Sequence, residues 1–156
     1  SQFYAITKIL AEKILEGLPC LILRPRMPVD VSPNPRNLIT KLAGYSRVID
    51  EQNSMTTIPH MIDALKKLIE KRVMGVYNFV NPGTISASEI MQTYKEIVDP
   101  NHSFKVFSLG ELDTITKAKR SNCYLNTDKL REEGIILPEI HEAAKECLIK
   151  YKENRI

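Results

Sequence analysis

No apolar run in these 156 residues approaches 18, and no signal-peptide pattern is visible, so the usual marks of a membrane span or a secretory leader are missing. The cytoplasm is therefore the expected compartment. Cys20, Cys123 and Cys147 are odd in number and far apart, which argues against a disulfide framework and a cysteine-built zinc site. His60, His102 and His141 are equally scattered, so no metal is expected. There is no basic block and no basic patch interleaved with aromatics, which leaves nucleic-acid binding without support. None of the six glycines forms Gly-x-Gly-x-x-Gly or a P-loop. The usual cradle for a dinucleotide or a phosphate is thus absent from these residues. Internal repeats and low-complexity segments are absent as well. The chain opens on Ser1-Gln2 rather than Met, as expected of a processed or cut N-terminus.

What is present is the composition of a water-soluble globular domain: 43% hydrophobic, 26% charged, net charge +3. At this length one domain buries roughly 70% of the surface its unfolded chain exposes. The mild positive bias suits an anionic small molecule such as a nucleotide.

Apolar residues recur at helical spacing from Phe3 to Leu18, and Gly17 and Pro19 punctuate the end. Cys20 to Leu23 is a continuous apolar run, the pattern of a strand covered on both faces in a parallel sheet. Arg24-Pro25-Arg26-Met27-Pro28 ends that strand and opens an extended, proline-rich loop. A short helix is expected over 37–45, short strands over 47–50 and 54–58, and an amphipathic helix over 59–72. A second buried strand follows over 75–80. Ser86 and Glu89 have the spacing of a capping box at the head of a helix reaching Val98. An edge strand over 104–107 and short helices over 111–118 and 128–133 come next. Pro138 begins a last helix, with Ile140, Ala143, Ala144, Cys147, Leu148 and Tyr151 on its inner face. Helix and strand alternate in this order, which means α/β with a mostly parallel sheet.

Tyr4 and Lys8 carry the best chemical signal. Four residues apart, they share one helical face. An ammonium beside a phenol stabilises the phenolate and lowers its pKa from about 10. Such a tyrosine exchanges a proton with a carbonyl or alcohol oxygen. The spacing alone is weak evidence, since a surface lysine beside a tyrosine on an ordinary helix has the same pattern.

Further stretches add specificity: Arg24 to Val29, Asn34 to Asn37 with Ile39 to Lys41, Gln52 to Thr56, Tyr77 to Phe79 with Asn81 to Gly83, and Arg120 to Asn122. Together with Phe3 to Lys8 they resemble, in order, the second half of an extended short-chain dehydrogenase/reductase. The closer resemblance is to the nucleotide-rhamnose synthases, which are 3,5-epimerase/4-reductases acting on a nucleotide-linked 4-keto-6-deoxy-glucose. The resemblance implies a single incomplete α/β unit. Residues 1–33 and 59–82 would form the Rossmann-sheet part, and 34–58 and 83–156 mostly the substrate lobe. The dinucleotide-binding half would lie upstream.

The resemblance also implies roles. Tyr4 would be the general acid toward the sugar O4, and Lys8 would hold the nicotinamide ribose and bias Tyr4. Arg26, Met27 and Pro28 would line the nicotinamide pocket of NADPH or NADH. Arg36, Asn37, Asn53 and Arg120 would contact the nucleotide sugar, as arginines in loops suit phosphate oxygens. A homodimer through the first helix is a further expectation. For epimerisation, Cys20, Cys123 and His60 are the weak candidates here, with the true acid and base expected upstream. Asn78, inside an apolar strand, is expected to make a structural hydrogen bond. Two alternatives stay open: a non-catalytic interaction module of reductase descent, and a sugar-nucleotide 4-epimerase or 4,6-dehydratase.

Overall fold

Residues 2–107 and 122–155 are described by the computed structural model of the chain. In chain order the elements are helix α1 (Gln2–Leu15), strands β1 (Leu21–Arg24) and β2 (Pro28–Val29), and helix α2 (Leu38–Ala43). Strands β3 (Arg47–Ile49) and β4 (Thr56–Thr57) precede helix α3 (Ile58–Glu70), strand β5 (Gly75–Asn78) and helix α4 (Ala87–Ile97). Strand β6 (Lys105–Phe107) and helices α5 (Asp128–Glu132) and α6 (Ile140–Glu153) complete the order. The expected helix over 111–118 lies outside the described residues.

Among the described residues there are three strand pairs, all parallel, as the alternation of elements predicts. β1 pairs with β5, with Leu21 opposite Gly75 and Arg24 opposite Asn78. β2 pairs with β4 through Pro28 opposite Thr56, and β3 pairs with β6 through Arg47 opposite Lys105. The sequence places Pro28 in a loop, but the backbone there joins a two-residue ladder. Proline is tolerated at its first position because it need not donate.

Among the described residues two hydrophobic clusters form the core. On the sheet side, Ala64 and Leu68 of α3 pack on Tyr77 and Phe79, with Leu130 and Ile135 behind them. On the lobe side, α2, α4 and α6 bury Ile39, Leu42, Ile90, Met91, Tyr94, Cys147 and Leu148 around Val48 and Met55. The clusters cross the expected division in two places. Val29 packs with the lobe, and Leu130, Ile135 and Leu137 pack with the sheet. A loop goes where its apolar residues find a partner, whatever its neighbours in sequence do.

Local signals hold where they are strong. Ser86 and Glu89 form the reciprocal capping box at the head of α4, and all six expected inner residues of α6 are buried. The Asn78 side-chain amide donates to the Asn126 carbonyl at 2.9 Å, the structural bond expected of it.

The first strand differs from expectation. Leu21, Ile22 and Leu23 are only half-buried. Among the described residues β1 has β5 as its one ladder neighbour, and α1 covers its outer face incompletely. A groove of about 420 Å³ separates α1 from the sheet, lined by Ile9, Leu15, Ile22 and Val76 among others. The apolar residues of α1 face outward on every side, with Phe3 79% and Ile14 76% exposed.

Asn81 ties the two clusters together. It is 1% exposed. The Thr57 backbone N–H and hydroxyl both donate to its Oδ1 at 2.9 Å, and its Nδ2 donates to the Pro138 carbonyl at 3.1 Å. Removing the amide strands a buried N–H at the head of α3 and a carbonyl leading into α6. Asn81→Ala is therefore expected to cost about 2–4 kcal/mol, the penalty of two orphaned buried groups. Urea unfolding with an unchanged m-value checks this.

Candidate active site

Tyr4 and Lys8 stand on one side of α1, as their spacing requires. The Lys8 ammonium lies 5.4 Å from the centroid of the Tyr4 ring. Tyr4 is 67% exposed, and neither residue is walled off by the fold. α1 holds both through its own backbone, and Thr7 Oγ1 donates to the Tyr4 carbonyl at 2.8 Å.

A cavity of about 480 Å³ lies elsewhere, between β3, α2 and the loops after β1 and β3. It is within the size range of small-molecule sites. Leu38, Leu42, Val48, Met55 and Ala87 make an apolar wall. Arg26, Lys41, Arg47, Glu51, Asn53 and Asn122 make the polar one. Among the described residues three cations stand against one carboxylate, a lining suited to an anionic ligand.

Of the residues singled out from the sequence, Arg26, Met27 and Asn53 come together in this cavity. Arg26 Nη2 donates to Asn53 Oδ1 at 2.8 Å, and the Arg26 backbone N–H donates to Thr56 Oγ1 at 3.0 Å. Asn53 is a hub. Its Oδ1 also accepts from the Cys123 N–H at 3.1 Å, and its backbone bridges Ile85. Met27 is held at φ 42°, left-handed backbone that costs a non-glycine residue free energy. The Arg26 bond on one side and the β2 ladder on the other enforce it.

The other expected site residues lie apart. Tyr4 and Lys8 do not line the cavity. Pro28 is exposed on β2, and Arg36 is exposed, with its N–H bonded to Asn34 Oδ1 at 2.9 Å. Asn37 is buried as the N-cap of α2, its oxygen accepting from the Ile39 N–H and its amide donating to the Asp30 and Ser32 carbonyls. That side chain is fully committed to its own loop. Arg120 lies outside the described residues.

The weak epimerase candidates do not line the cavity either. Cys20 borders the groove beside α1. Cys123 serves Asn53 through its backbone. His60 Nδ1 lies 2.8 Å from Thr57 Oγ1, and its Nε2 lies 3.2 Å from Glu146, a contact between α3 and α6. Burial pushes the third thiol, Cys147, up to about 12, so it is an inert core residue.

Sequence reasoning missed Lys41, Tyr45, Arg47, Glu51, Phe107 and Asn122 as lining residues. The Arg47 guanidinium sits 5.0 Å from the Phe107 ring centroid. Parallel pairing of β3 with β6 creates that neighbourhood, and no local pattern announces a pairing between such distant strands.

A charged cluster lies beyond the cavity, where α4 and α6 begin. His141 Nδ1 is 3.0 Å from Glu139 Oε1, and its Nε2 is 3.6 Å from Glu89 Oε1. The hydrogen bond to Glu139, with support from Glu89, raises the His141 pKa above its ordinary 6.5 despite burial. Burial alone would raise Glu139 and Glu89. Hydrogen bonds outweigh it and hold both below 4.5, from His141 onto Glu139 and from Ser86, Gln52 and His141 onto Glu89. A histidine raised in the folded state stabilises below pH 6.5, and that contribution fades as pH climbs through its folded value. The lowered carboxylates stabilise above pH 4.5 and lose their contribution as pH falls through theirs. Both are present between those limits. His141→Gln should therefore lower Tm more at pH 5.5 than at pH 8.5, as calorimetry at the two pH values will show.

No family model matches the sequence. Over 152 residues the chain is 38% identical to the bifunctional dTDP-4-dehydrorhamnose 3,5-epimerase/dTDP-4-dehydrorhamnose reductase of Arabidopsis thaliana. The match takes in 96% of this chain and 49% of the relative. The crystal structure of the L780 UDP-rhamnose synthase from Acanthamoeba polyphaga mimivirus superposes with a TM-score of 0.85 at 35% identity, over 94% of this chain and 52% of that one. The chain is a homologue of the rhamnose synthases. It spans about half the length of these relatives. By name the Arabidopsis relative is both an epimerase and a reductase of a dTDP-linked sugar, and the mimivirus protein is a UDP-rhamnose synthase. A more distant neighbour, the dTDP-4-dehydrorhamnose reductase of Bacillus anthracis in complex with NADP, shares 18% identity and a TM-score of 0.67 over 83% of this chain and 48% of that one. That likeness carries the fold alone, a Rossmann-type α/β architecture. Among the described residues, no helix of this rhamnose-synthase homologue is long and apolar enough to cross a membrane.

Proposed function

We propose that this chain is the proton-donating and substrate-holding part of an enzyme that reduces a nucleotide-linked 4-keto-6-deoxy-hexose to a rhamnose-type sugar nucleotide. In this reading the reaction is coupled to epimerisation and takes place in the cytoplasm. The observation that carries the reading is the Tyr4–Lys8 pair, held on one helix with the ammonium against the phenol ring.

The residues present fit only part of NADH or NADPH. Tyr4 and Lys8 are exposed, and among the described residues their side chains meet only each other, so a ribose has donors to meet. No glycine-rich turn exists for the pyrophosphate. Lys8 would hold the nicotinamide ribose, with Arg26, Met27 and Pro28 near the nicotinamide. The bound cofactor supplies hydride to the sugar carbonyl carbon.

The chain's own groups do the rest. Tyr4 Oη donates its proton to the sugar O4 as negative charge builds there. The Lys8 ammonium stabilises the phenolate that Tyr4 becomes. Arg26, Lys41 and Arg47 set a positive lining against the nucleotide diphosphate, and the apolar wall excludes water from it. Arg36, Asn37 and Arg120 remain part of the proposed substrate-binding set, with Asn37 acting by shaping the loop that enters α2. The uncovered apolar side of α1 suits either the preceding part of a longer chain or a second copy of α1.

The test is product analysis with the complete protein that contains this chain. It is given NADPH or NADH and UDP- or dTDP-4-keto-6-deoxy-glucose, and the product sugar is identified by NMR. A rhamnose-type product formed with oxidation of the cofactor supports the reading. A 4-epimer, a dehydrated sugar without net cofactor oxidation, or no turnover would overturn it.

A further inference from the structure

Glu12 is the next residue, after Tyr4 and Lys8, on the same four-residue stripe of α1. Each step of four residues turns about 40° beyond a full circle and climbs about 6 Å. Lys8 therefore stands midway between the other two, both in height and in angle. The Glu12 carboxylate is gripped by Arg24 at the end of β1. Arg24 Nε donates to Glu12 Oε1 at 2.8 Å, and Arg24 Nη2 donates to Glu12 Oε2, a two-pronged fork. Among the described residues this is the one ion pair that α1 makes. The rest of the helix is loosely seated, with its apolar residues exposed and a groove beneath it.

The other end of the contact leads to the cavity. The Arg24 carbonyl accepts from the Phe79 N–H at 3.0 Å, which fixes the strand end to the chain leaving β5. Two residues later Arg26 binds Asn53 and Thr56 and lines the cavity. A continuous line of short contacts thus runs from the Tyr4–Lys8 stripe, through Glu12 and Arg24, to the cavity wall. A planar guanidinium bound at two oxygens resists both sliding and rotation of the helix, which a single point contact does not. The bond also depresses the Glu12 pKa and raises that of Arg24, so the pair stays charged through ordinary pH.

We propose that Glu12 and Arg24 are positioning residues that set the axial and rotational register of α1, and so aim Tyr4 and Lys8 at the substrate held in the cavity. This rests on the reductase reading. It assigns no proton transfer to the pair.

The test uses the complete enzyme, with the nucleotide-linked 4-keto-6-deoxy-hexose and NADPH or NADH. Glu12→Gln and Arg24→Lys each keep one hydrogen bond and lose the fork. Each is expected to lower kcat by roughly 10- to 100-fold, the scale of a misplacement of about 1 Å. KM for the sugar nucleotide should stay within about twofold, because the cavity is untouched. The pH profile of kcat should keep its inflections, because Tyr4 and Lys8 move together. The exchange Glu12→Arg with Arg24→Glu rebuilds a pair in reverse and should recover most of the lost kcat. Unchanged kcat in both single variants would overturn the proposal. So would a loss confined to KM, a shifted pH inflection, or an exchange variant that folds, by its circular dichroism and melting, without regaining turnover. Tyr4→Phe is the separate control. If it keeps full activity, the Tyr/Lys reading itself fails, whatever the pair does.

Discussion

In the complete enzyme, Tyr4→Phe is expected to lower kcat by about 10²- to 10⁴-fold, the usual contribution of a positioned acid. The phenyl ring keeps the shape of the site and removes only the proton. Binding of the sugar nucleotide should be unaffected, because the cavity walls come from other elements. Lys8→Met should act differently. It removes the cation that lies 5.4 Å from the ring and that holds the nicotinamide ribose in the proposed mechanism. Activity should fall, and KM for the dinucleotide should rise, because the ribose loses its ammonium partner. If proton donation and cation support act as one unit, the double variant will be scarcely worse than Tyr4→Phe alone. Steady-state rates over a pH series measure all of this. A Tyr4→Phe enzyme within about threefold of the parent would remove Tyr4 from the chemistry, since that lies far below the range for general acid catalysis.

Phe79→Ala is expected to have the largest effect on stability, about 3–5 kcal/mol. The side chain is fully buried, at 0% exposure, in the sheet-side cluster with Tyr77, Ala64, Leu68, Leu130 and Ile135. That cluster is small, so few neighbours are available to collapse into the space. The Phe79 carbonyl also accepts from Thr56 Oγ1 at 2.7 Å, joining the sheet to the floor beneath Arg26. That bond is made to the backbone and survives the substitution, so the loss falls on the sheet-side core. Urea denaturation should show a lower midpoint at an unchanged slope. Tyr77→Phe provides a milder comparison, since it removes only the hydroxyl that donates to Glu133 Oε1 at 2.8 Å. Burial, with help from Glu133, pushes that phenol up to about 12. A Phe79→Ala loss no greater than that of Tyr77→Phe would show that the sheet-side cluster does not hold the fold.

The parts of this structure legible in the sequence are those set by local chemistry. The Ser86–Glu89 box, the inner face of α6 and the Tyr4–Lys8 stripe each follow from spacings of three or four residues. β1 was legible as a strand but not in its surroundings, because Leu21 to Leu23 record the burial a strand is built for, and here they are half-buried. Of the cavity lining, only Arg26, Met27 and Asn53 were given a role from the sequence; Lys41 and Asn122 fall in motifs without one. Arg47 and Phe107 reach it through tertiary packing, and an arginine on β3 looks like any surface arginine until β6 comes beside it. The resemblance named the right relatives because several spaced motifs agree, but it gave Asn37 a contact role without revealing that its amide is spent on its own loop.

The parallel pairing of β1 with β5 has a consequence for how the chain is made. Leu21 must wait for Gly75 before its ladder can close. A ribosome adding about 5–20 residues per second needs several seconds to cover that interval. Throughout that time a sticky Leu-Ile-Leu ribbon is on offer to any passing nascent chain, and non-local closure of this kind is intrinsically slow. Yield during expression should consequently respond to translation speed and to chaperone supply more than to the final stability of the folded product.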